Sequence, residues 1–143
     1  MTEKVYFSLG TNLGDREANI MRALALMDEC FGVHYDVLST IIETESWGFE
    51  GNAFLNAAVC YLLDSDPFEV LETCKKIERQ MGREQYPLYD DGGNRIYHDR
   101  VIDIDILLYG DRRIDSEKLV IPHPLMEKRD FVMIPLKELI DNK

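Results

Sequence analysis

No apolar run in the chain approaches the roughly 18 residues that a membrane-spanning helix needs, so no segment reads as transmembrane. Cysteine is scarce. Cys30, Cys60 and Cys74 are odd in number, widely spaced and form no CxxC pair, which argues against a disulfide framework or a cysteine zinc site and leaves reduced, mostly buried thiols. Positive charge is also in short supply: 16 Lys and Arg stand against 27 Asp and Glu, for a net charge of −11. Such a balance suits neither a nucleic-acid backbone nor an anionic membrane. A GxxxxGK[ST] phosphate loop is missing, because "GTNLGD" (Gly10 to Asp15) has the glycines without the lysine and reads as a tight turn leading to a helix cap. There is no internal repeat, low-complexity tract or linker. The opening "MTEKVYFSLG" enters a strand pattern at once and lacks the long apolar region of a secretory signal, so cytoplasmic residence is expected.

What remains is a chain of 143 residues, 45% hydrophobic and 30% charged, a composition for one globular domain with its own core. Lys4 to Leu9 alternates Val5, Phe7 and Leu9 with Lys4, Tyr6 and Ser8, the period of a half-buried strand. From Arg16 to Phe31, Ile20, Ala23, Leu24 and Met27 fall at helical spacing, with Asp15 placed to cap the start and Gly32 the end. A β-rich stretch from Val33 to about Trp47 is followed by a second strand from Phe54 to Leu63. A second helix begins with Asp66 as cap and Pro67 at its first position, turns Val70, Leu71, Cys74 and Ile77 inward, and ends at Gly82. Residues 83–99, "REQYPLYDDGGNRIYHD", show neither period and read as a long mobile loop, the kind that serves as a functional lid. After the next strand, "YGDRRID" turns the chain back, and the end reads as a helical turn from Pro124, a strand from Phe131 to Ile134 and a final helix from Pro135. The order β-α-β-β-α-β predicts an α+β fold, an antiparallel sheet covered on one face by two helices, with a short C-terminal extension.

The unusual stretch is "RVIDIDILLYGD", Arg100 to Asp111, a greasy strand carrying two carboxylates. Alternation puts Asp103, Asp105 and Leu107 on one face and Ile102, Ile104, Ile106 and Leu108 on the other. The two aspartates stand about 6.6 Å apart at the backbone, from a rise of about 3.3 Å per residue. Unpaired buried carboxylates are costly. Either this face is wet, with Arg100 pairing one aspartate, or the pair binds a hard cation whose shell is completed by phosphate oxygens. The basic residues gather nearby: Arg95, His98, Arg100, Arg112, Arg113, Lys118, His123, Lys128 and Arg129 fall within 35 positions, a local positive region able to hold a polyanionic substrate inside an acidic protein.

Five stretches, "SLGTNLGD" (Ser8 to Asp15), "FLNAA" (Phe54 to Ala58), "IERQMGR" (Ile77 to Arg83), "DRVIDIDILLYG" (Asp99 to Gly110) and "IPHPLMEKRDFV" (Ile121 to Val132), occur in the order found in one family. Over essentially its whole length the chain resembles 6-hydroxymethyl-7,8-dihydropterin pyrophosphokinase, the folate-pathway enzyme. The resemblance implies a single domain with a ferredoxin-like α+β fold and a lid over about residues 83–99. It also implies two magnesium ions, and diphosphate transfer from ATP to the pterin hydroxymethyl group with release of AMP. It makes Asp103 and Asp105 the metal ligands. Arg83 and Arg100 match phosphate-contacting arginines, and Asp103 is the candidate proton acceptor beside them. Glu78, His123 and Arg129 match nucleotide-site positions together with both arginines. Thr44, Trp47, Phe54, Asn56, Tyr97 and Phe131 match the pterin pocket, with Asn56 hydrogen-bonding the heterocycle and Phe131 stacking on it. ATP and the pterin are the partners it implies, acting on a monomer.

The sequence departs from that pattern in the lid. Gln85 stands where a second basic residue follows Arg83, Tyr97 where a tryptophan covers the ligands, and Asp99 where a proline precedes Arg100. Arg95, the lone arginine of a longer loop, is the candidate to supply the missing phosphate contact. Glu45 also replaces a common proline. Two other classes compete with the resemblance: a ferredoxin-like module that binds a small ligand without chemistry, and a metal-dependent phosphohydrolase. An RNA-recognition domain shares the strand order, but the acidic balance and the lack of an aromatic-basic motif argue against it.

Overall fold

The structure is a computed structural model that describes residues 2–44, 53–82, 88–89, 95–96 and 101–141, with backbone alone at 88–89 and 95–96. Strand β1 (Glu3–Thr11) leads into helix α1 (Arg16–Phe31), then strands β2 (Val37–Leu38), β3 (Ile42–Thr44) and β4 (Phe54–Leu63) and helix α2 (Pro67–Gln80). Short strands β5 (Leu88–Tyr89) and β6 (Arg95–Ile96) precede β7 (Asp103–Tyr109). A small hairpin, β8 (Ile114–Asp115) and β9 (Val120–Ile121), a 3₁₀ turn (Met126–Lys128) and helix α3 (Asp130–Asp141) complete the chain. The main sheet has the order β2-β4-β1-β7, with β3 also on β4, and its ladders are antiparallel. This is the expected α+β architecture.

Local chemistry explains the first two helices. Asp15 accepts a hydrogen bond from Ala18 N at 3.1 Å, and Gly32 closes α1 with a left-handed φ of 74°, a conformation that suits a residue without Cβ. The α2 cap differs from expectation: Asp66 occupies the cap position but makes no side-chain cap bond, and its backbone carbonyl accepts from Val70 N instead. Pro67 opens that helix as predicted, and its inner face buries Val70, Cys74, Ile77 and the carboxylate-bearing Glu78. Leu71 is only partly buried.

The sheet is covered on both faces, not one. Val5, Phe7 and Leu9 pack with Ile20, Leu24, Met27, Val70, Cys74 and Ile77 in the core under α1 and α2. Tyr6, Ala58, Cys60 and Leu107 pack with Val132, Leu136 and Leu139 in a second core under α3. Tyr6 and Ser8 are consequently 8% and 7% exposed, so β1 is buried on both sides where alternation predicted a half-buried strand. The strand expected at Phe131 to Ile134 is the first half of α3. Its β-branched and aromatic residues before Pro135 favour extended backbone locally, but Val132, Pro135, Leu136 and Leu139 recur at helical spacing and are buried, and that tertiary burial outweighs the local preference.

Strand β7 holds another correction. Opposite β1 the register runs Phe7 to Ile106 and then Tyr6 to Leu108, a bulge that inserts Leu107. Past it the strand changes face, so Leu107 and Leu108 both meet the α3 core while Tyr109 returns to the first. Strict alternation had put Leu108 with the isoleucines. In the stretch expected as an unbroken loop, β5 and β6 pair antiparallel, Leu88 with Ile96 and Tyr89 with Arg95. The two pairs bracket "DDGGN", a turn-forming sequence. The rest of the stretch expected as a lid, with Arg83, Gln85, Tyr97 and Asp99, lies outside the described residues, as do Arg100, Glu45 and Trp47. Cys30, Cys60 and Cys74 are all free, the first exposed and the others buried. No described helix is long and apolar enough to cross a membrane.

Candidate active site

Register assembles the site. Across neighbouring strands Ile42 pairs with Asn56, Asn56 with Gly10 and Gly10 with Asp103, while one step along Ser8 lies between Ala58 and Asp105. Directly paired residues point to the same face, so Asp103, Asp105, Gly10, Asn56 and Phe54 share the α3 side of the sheet, where both aspartates remain partly exposed. With neighbouring strands about 4.8 Å apart, the Asn56 and Asp103 backbones stand roughly 10 Å apart across Gly10. The missing side chain of Gly10 makes room for the Asn56 amide and the Phe54 ring. A Cβ there would meet the Asn56 amide oxygen at 3.1 Å and Phe54 Cδ1 at 3.6 Å.

Asn56 is only 3% exposed, and a buried amide needs partners. Its Nδ2 donates to Thr44 Oγ1 at 2.6 Å, tying β4 to β3 and fixing the direction of the amide. On the far side of the aspartates, His123 N donates to the Leu107 carbonyl at 3.0 Å, which seats the imidazole beside β7. Burial first, and then the Arg129 guanidinium, push the His123 ring below its ordinary value, with Asp103 pulling the other way. His123 is therefore a neutral ring near pH 7, within electrostatic reach of both Arg129 and Asp103. The Arg129 guanidinium lies over the Phe131 ring, 5.6 Å from its centroid, a cation–π contact at the head of α3.

Glu78 stands apart from this group. It sits on α2, across the sheet from the aspartates and 7% exposed, and its Oε2 accepts from Ile104 N at 2.9 Å. Ile104 is the residue between the two aspartates, so this carboxylate anchors the free edge of β7 where they project. Of the residues predicted from the sequence, Thr44, Phe54, Asn56, Asp103, Asp105, His123, Arg129 and Phe131 gather at one end of one sheet face, and Glu78 backs them. Arg83, Arg100, Trp47 and Tyr97 lie outside the described residues, and the Arg95 side chain does too. Sequence reasoning missed Gly10 as a site residue. The sequence pattern had ended the strand at Leu9 and put Gly10 in the turn that follows, whereas β1 runs on to Thr11 and makes Gly10 a glycine inside a strand, where backbones approach closely.

Two carboxylates on one strand face, partly exposed and flanked by Ser8 and Gly10, fit a hard divalent cation that keeps waters and takes phosphate oxygens. Among the described residues no three His, Cys, Asp or Glu side chains converge, so those residues alone form no closed cage there. The arrangement suits a metal brought to the strand with a polyphosphate.

Residues 6–141 match the family model of 7,8-dihydro-6-hydroxymethylpterin-pyrophosphokinase. A 2-amino-4-hydroxy-6-hydroxymethyldihydropteridine pyrophosphokinase from Porphyromonas gingivalis is 44% identical over 94% of this chain and 89% of its own length. The protein of that name from Bacillus subtilis is 38% identical over 97% of this chain and 79% of its own. A folate synthesis bifunctional protein from Arabidopsis thaliana is 40% identical over 96% of this chain, which spans 27% of the plant protein.

Proposed function

The chain belongs to the 7,8-dihydro-6-hydroxymethylpterin-pyrophosphokinase family and is a pyrophosphokinase, a transferase; on that premise we propose that it moves the diphosphate of ATP to the hydroxymethyl group of 6-hydroxymethyl-7,8-dihydropterin, releasing AMP, as a step of folate biosynthesis. The observation that carries this reading is the row Asn56, Gly10, Asp103, a buried amide and a carboxylate pair on either side of a glycine.

In this reading the pterin ring lies over Gly10, its amide edge read by Asn56 and its face stacked on Phe131. Thr44 holds the Asn56 amide, so the orientation is set before substrate arrives. Phe54 borders the same glycine. Asp103 and Asp105 would hold two magnesium ions, which supply charge neutralisation for the triphosphate. The hydroxymethyl oxygen attacks the β-phosphorus in line; the new bond forms from carbon-bound oxygen to phosphorus, and the bond to the α-phosphate oxygen breaks with its electron pair on AMP. Asp103 accepts the hydroxyl proton. Arg129 and the neutral His123 lie on the nucleotide side, and Arg83 and Arg100, whose motifs resemble those of phosphate-contacting arginines, act on the transferred phosphates, where charge spreads as the bond breaks. Arg95 is the candidate for the contact that Gln85 does not make. Glu78 acts through the backbone, keeping Ile104 and hence both aspartates in place.

The test is a phosphorus NMR or chromatographic assay with ATP, magnesium and the reduced hydroxymethylpterin, beside a control without pterin. AMP and a pterin diphosphate should appear together and only with both substrates. ADP or phosphate formed without pterin points to a hydrolase, and binding without turnover to a ligand module; either overturns the proposal. Asp103→Asn should lower kcat by at least about a hundredfold, the scale of a lost acid–base or charge-stabilising group. Undiminished turnover in that variant removes Asp103 from the chemistry.

A further inference from the structure

Arg16 joins the two ends from which residues 45–52 connect β3 to β4. From the first turn of α1 its Nη1 donates to the Ala53 carbonyl at 2.9 Å, and its Nη2 lies 2.7 Å from Glu43 Oε2. Glu43 immediately precedes Thr44, Ala53 immediately precedes Phe54, and Thr44 and Phe54 are partners in the β3–β4 ladder. The guanidinium fork therefore grips one atom on each strand end, a geometry that a planar, rigid group can hold and a flexible ammonium cannot. The root of the fork is itself anchored. Asp15 caps α1, and Asn19 Nδ2 donates to Thr11 Oγ1 at 3.1 Å and to the Leu13 carbonyl at 2.7 Å, so the helix start is tied to the end of β1.

Arg16 lines an open cleft of about 330 Å³ together with Asn12, Gly14, Glu43 and Ala53, so among the described residues these hydrogen bonds are what joins α1 to the two strand ends. Stability does not explain the arrangement, because the Arg16 and Glu43 side chains are 30% and 58% exposed, and exposed ion pairs contribute about 0–1 kcal/mol. The consequence is geometric. With β3 and β4 held at this separation, Asn56 Nδ2 reaches Thr44 Oγ1 at 2.6 Å.

We propose that Arg16 is a positioning residue for the heterocycle: by gripping Glu43 and Ala53 it sets the Thr44–Asn56 pair that reads the pterin. The inference rests on the pyrophosphokinase reading for its substrate, while its structural part concerns Asn56 alone. Three proteins are compared, wild type, Arg16→Ala and Arg16→Lys, by steady-state kinetics for each substrate, by the NMR signals of the Asn56 side-chain amide, and by thermal melting. Arg16→Ala should raise KM for the pterin about tenfold through a misplaced amide, leave KM for ATP within about twofold, and shift the Asn56 amide signals. Its Tm should fall by less than about 4 °C, as for one exposed pair in a domain of this size. Arg16→Lys, able to satisfy one contact but not both, should lie between. Unchanged pterin KM with unchanged Asn56 signals overturns the proposal. So does an equal rise in both KM values with a larger drop in Tm, which would make Arg16 a support of the whole fold. Wild-type protein without pterin-dependent turnover overturns the functional reading instead, and the Asn56 signals still decide whether Arg16 sets the pair.

Discussion

A methyl group on Gly10 would crowd the Asn56 amide oxygen at 3.1 Å, closer than side-chain carbons ordinarily come. Gly10→Ala is thus a one-carbon test of the room beside the amide. The amide must shift by a few tenths of an ångström or the strand must, and over-packing of this kind destabilises by about 1–3 kcal/mol. KM for the heterocyclic substrate should rise by roughly tenfold or more, since a displaced hydrogen-bonding group loses most of its contribution, with the ATP dependence little changed. Steady-state kinetics with each substrate varied in turn checks this, and an unaltered pterin KM would show that the ring does not lie over Gly10. At this scale the sequence was informative wherever chemistry was odd: two carboxylates in a greasy strand, an amide in an apolar one. It was silent about Gly10 and Arg16, whose importance depends on what the register and α1 bring beside them.

The C-terminal end of α1 illustrates how an element is held. Asp28 accepts from Tyr61 Oη at 2.5 Å and from Tyr35 N at 3.3 Å, and its other oxygen lies 2.6 Å from His34 Nδ1. Tyr61 in turn meets Phe7 and Phe31 edge-on, so the carboxylate links helix, strand and aromatic core. Burial alone would raise the Asp28 carboxyl, but the Tyr61 and His34 contacts outweigh it and hold the group below its ordinary value. A depressed carboxylate contributes stability that is present above the unfolded value of about 3.9 and lost as pH falls through the folded one. Acidification below about pH 4 should therefore weaken wild type more steeply than Asp28→Asn. At neutral pH that variant should be less stable by about 1.5–3 kcal/mol, the range for a hydrogen bond to a charged group. Urea unfolding at a series of pH values measures both, and parallel pH profiles would sink the assignment. Element boundaries set by caps, Asp15 and Gly32 for α1 and Pro67 for α2, were legible in the sequence. The second half of α3 was legible as a helix from Pro135, but its first half was not, because the run Phe131 to Ile134 before a proline has the local character of a strand and becomes helix only against the sheet.

In the whole molecule one sheet divides two cores, the larger beneath α1 and α2 and the smaller beneath α3. The site lies on the α3 side, beyond the smaller core, so α3 both closes that core and carries Phe131 to its edge. Leu136→Ala, at a residue 1% exposed, should lower stability by about 2–5 kcal/mol, the range for emptying a buried leucine site. If the two cores are one cooperative unit, the variant should still unfold in a single transition, with far-UV and near-UV circular dichroism coincident. Two separated transitions would mean that α3 melts on its own. A variant whose stability hardly changes would contradict the packing itself.

By itself the sequence determined the α+β class, the first two helices with most of their end signals, the carboxylate strand and, through five ordered motifs, the family. These are local or linear properties: periodicity, capping chemistry and motif order are written in consecutive residues. Only the tertiary structure decided that the sheet is covered on both faces, that a bulge at Leu107 turns β7 from one core to the other, that Glu78 backs the aspartates through Ile104, and that Arg16 grips the two ends of the β3–β4 connection. All four depend on residues distant in the chain meeting across strands or between a helix and the sheet, 26 or more positions apart for the Glu78 and Arg16 contacts, and a partner's position in space is not encoded by the period or propensity of the segment it meets.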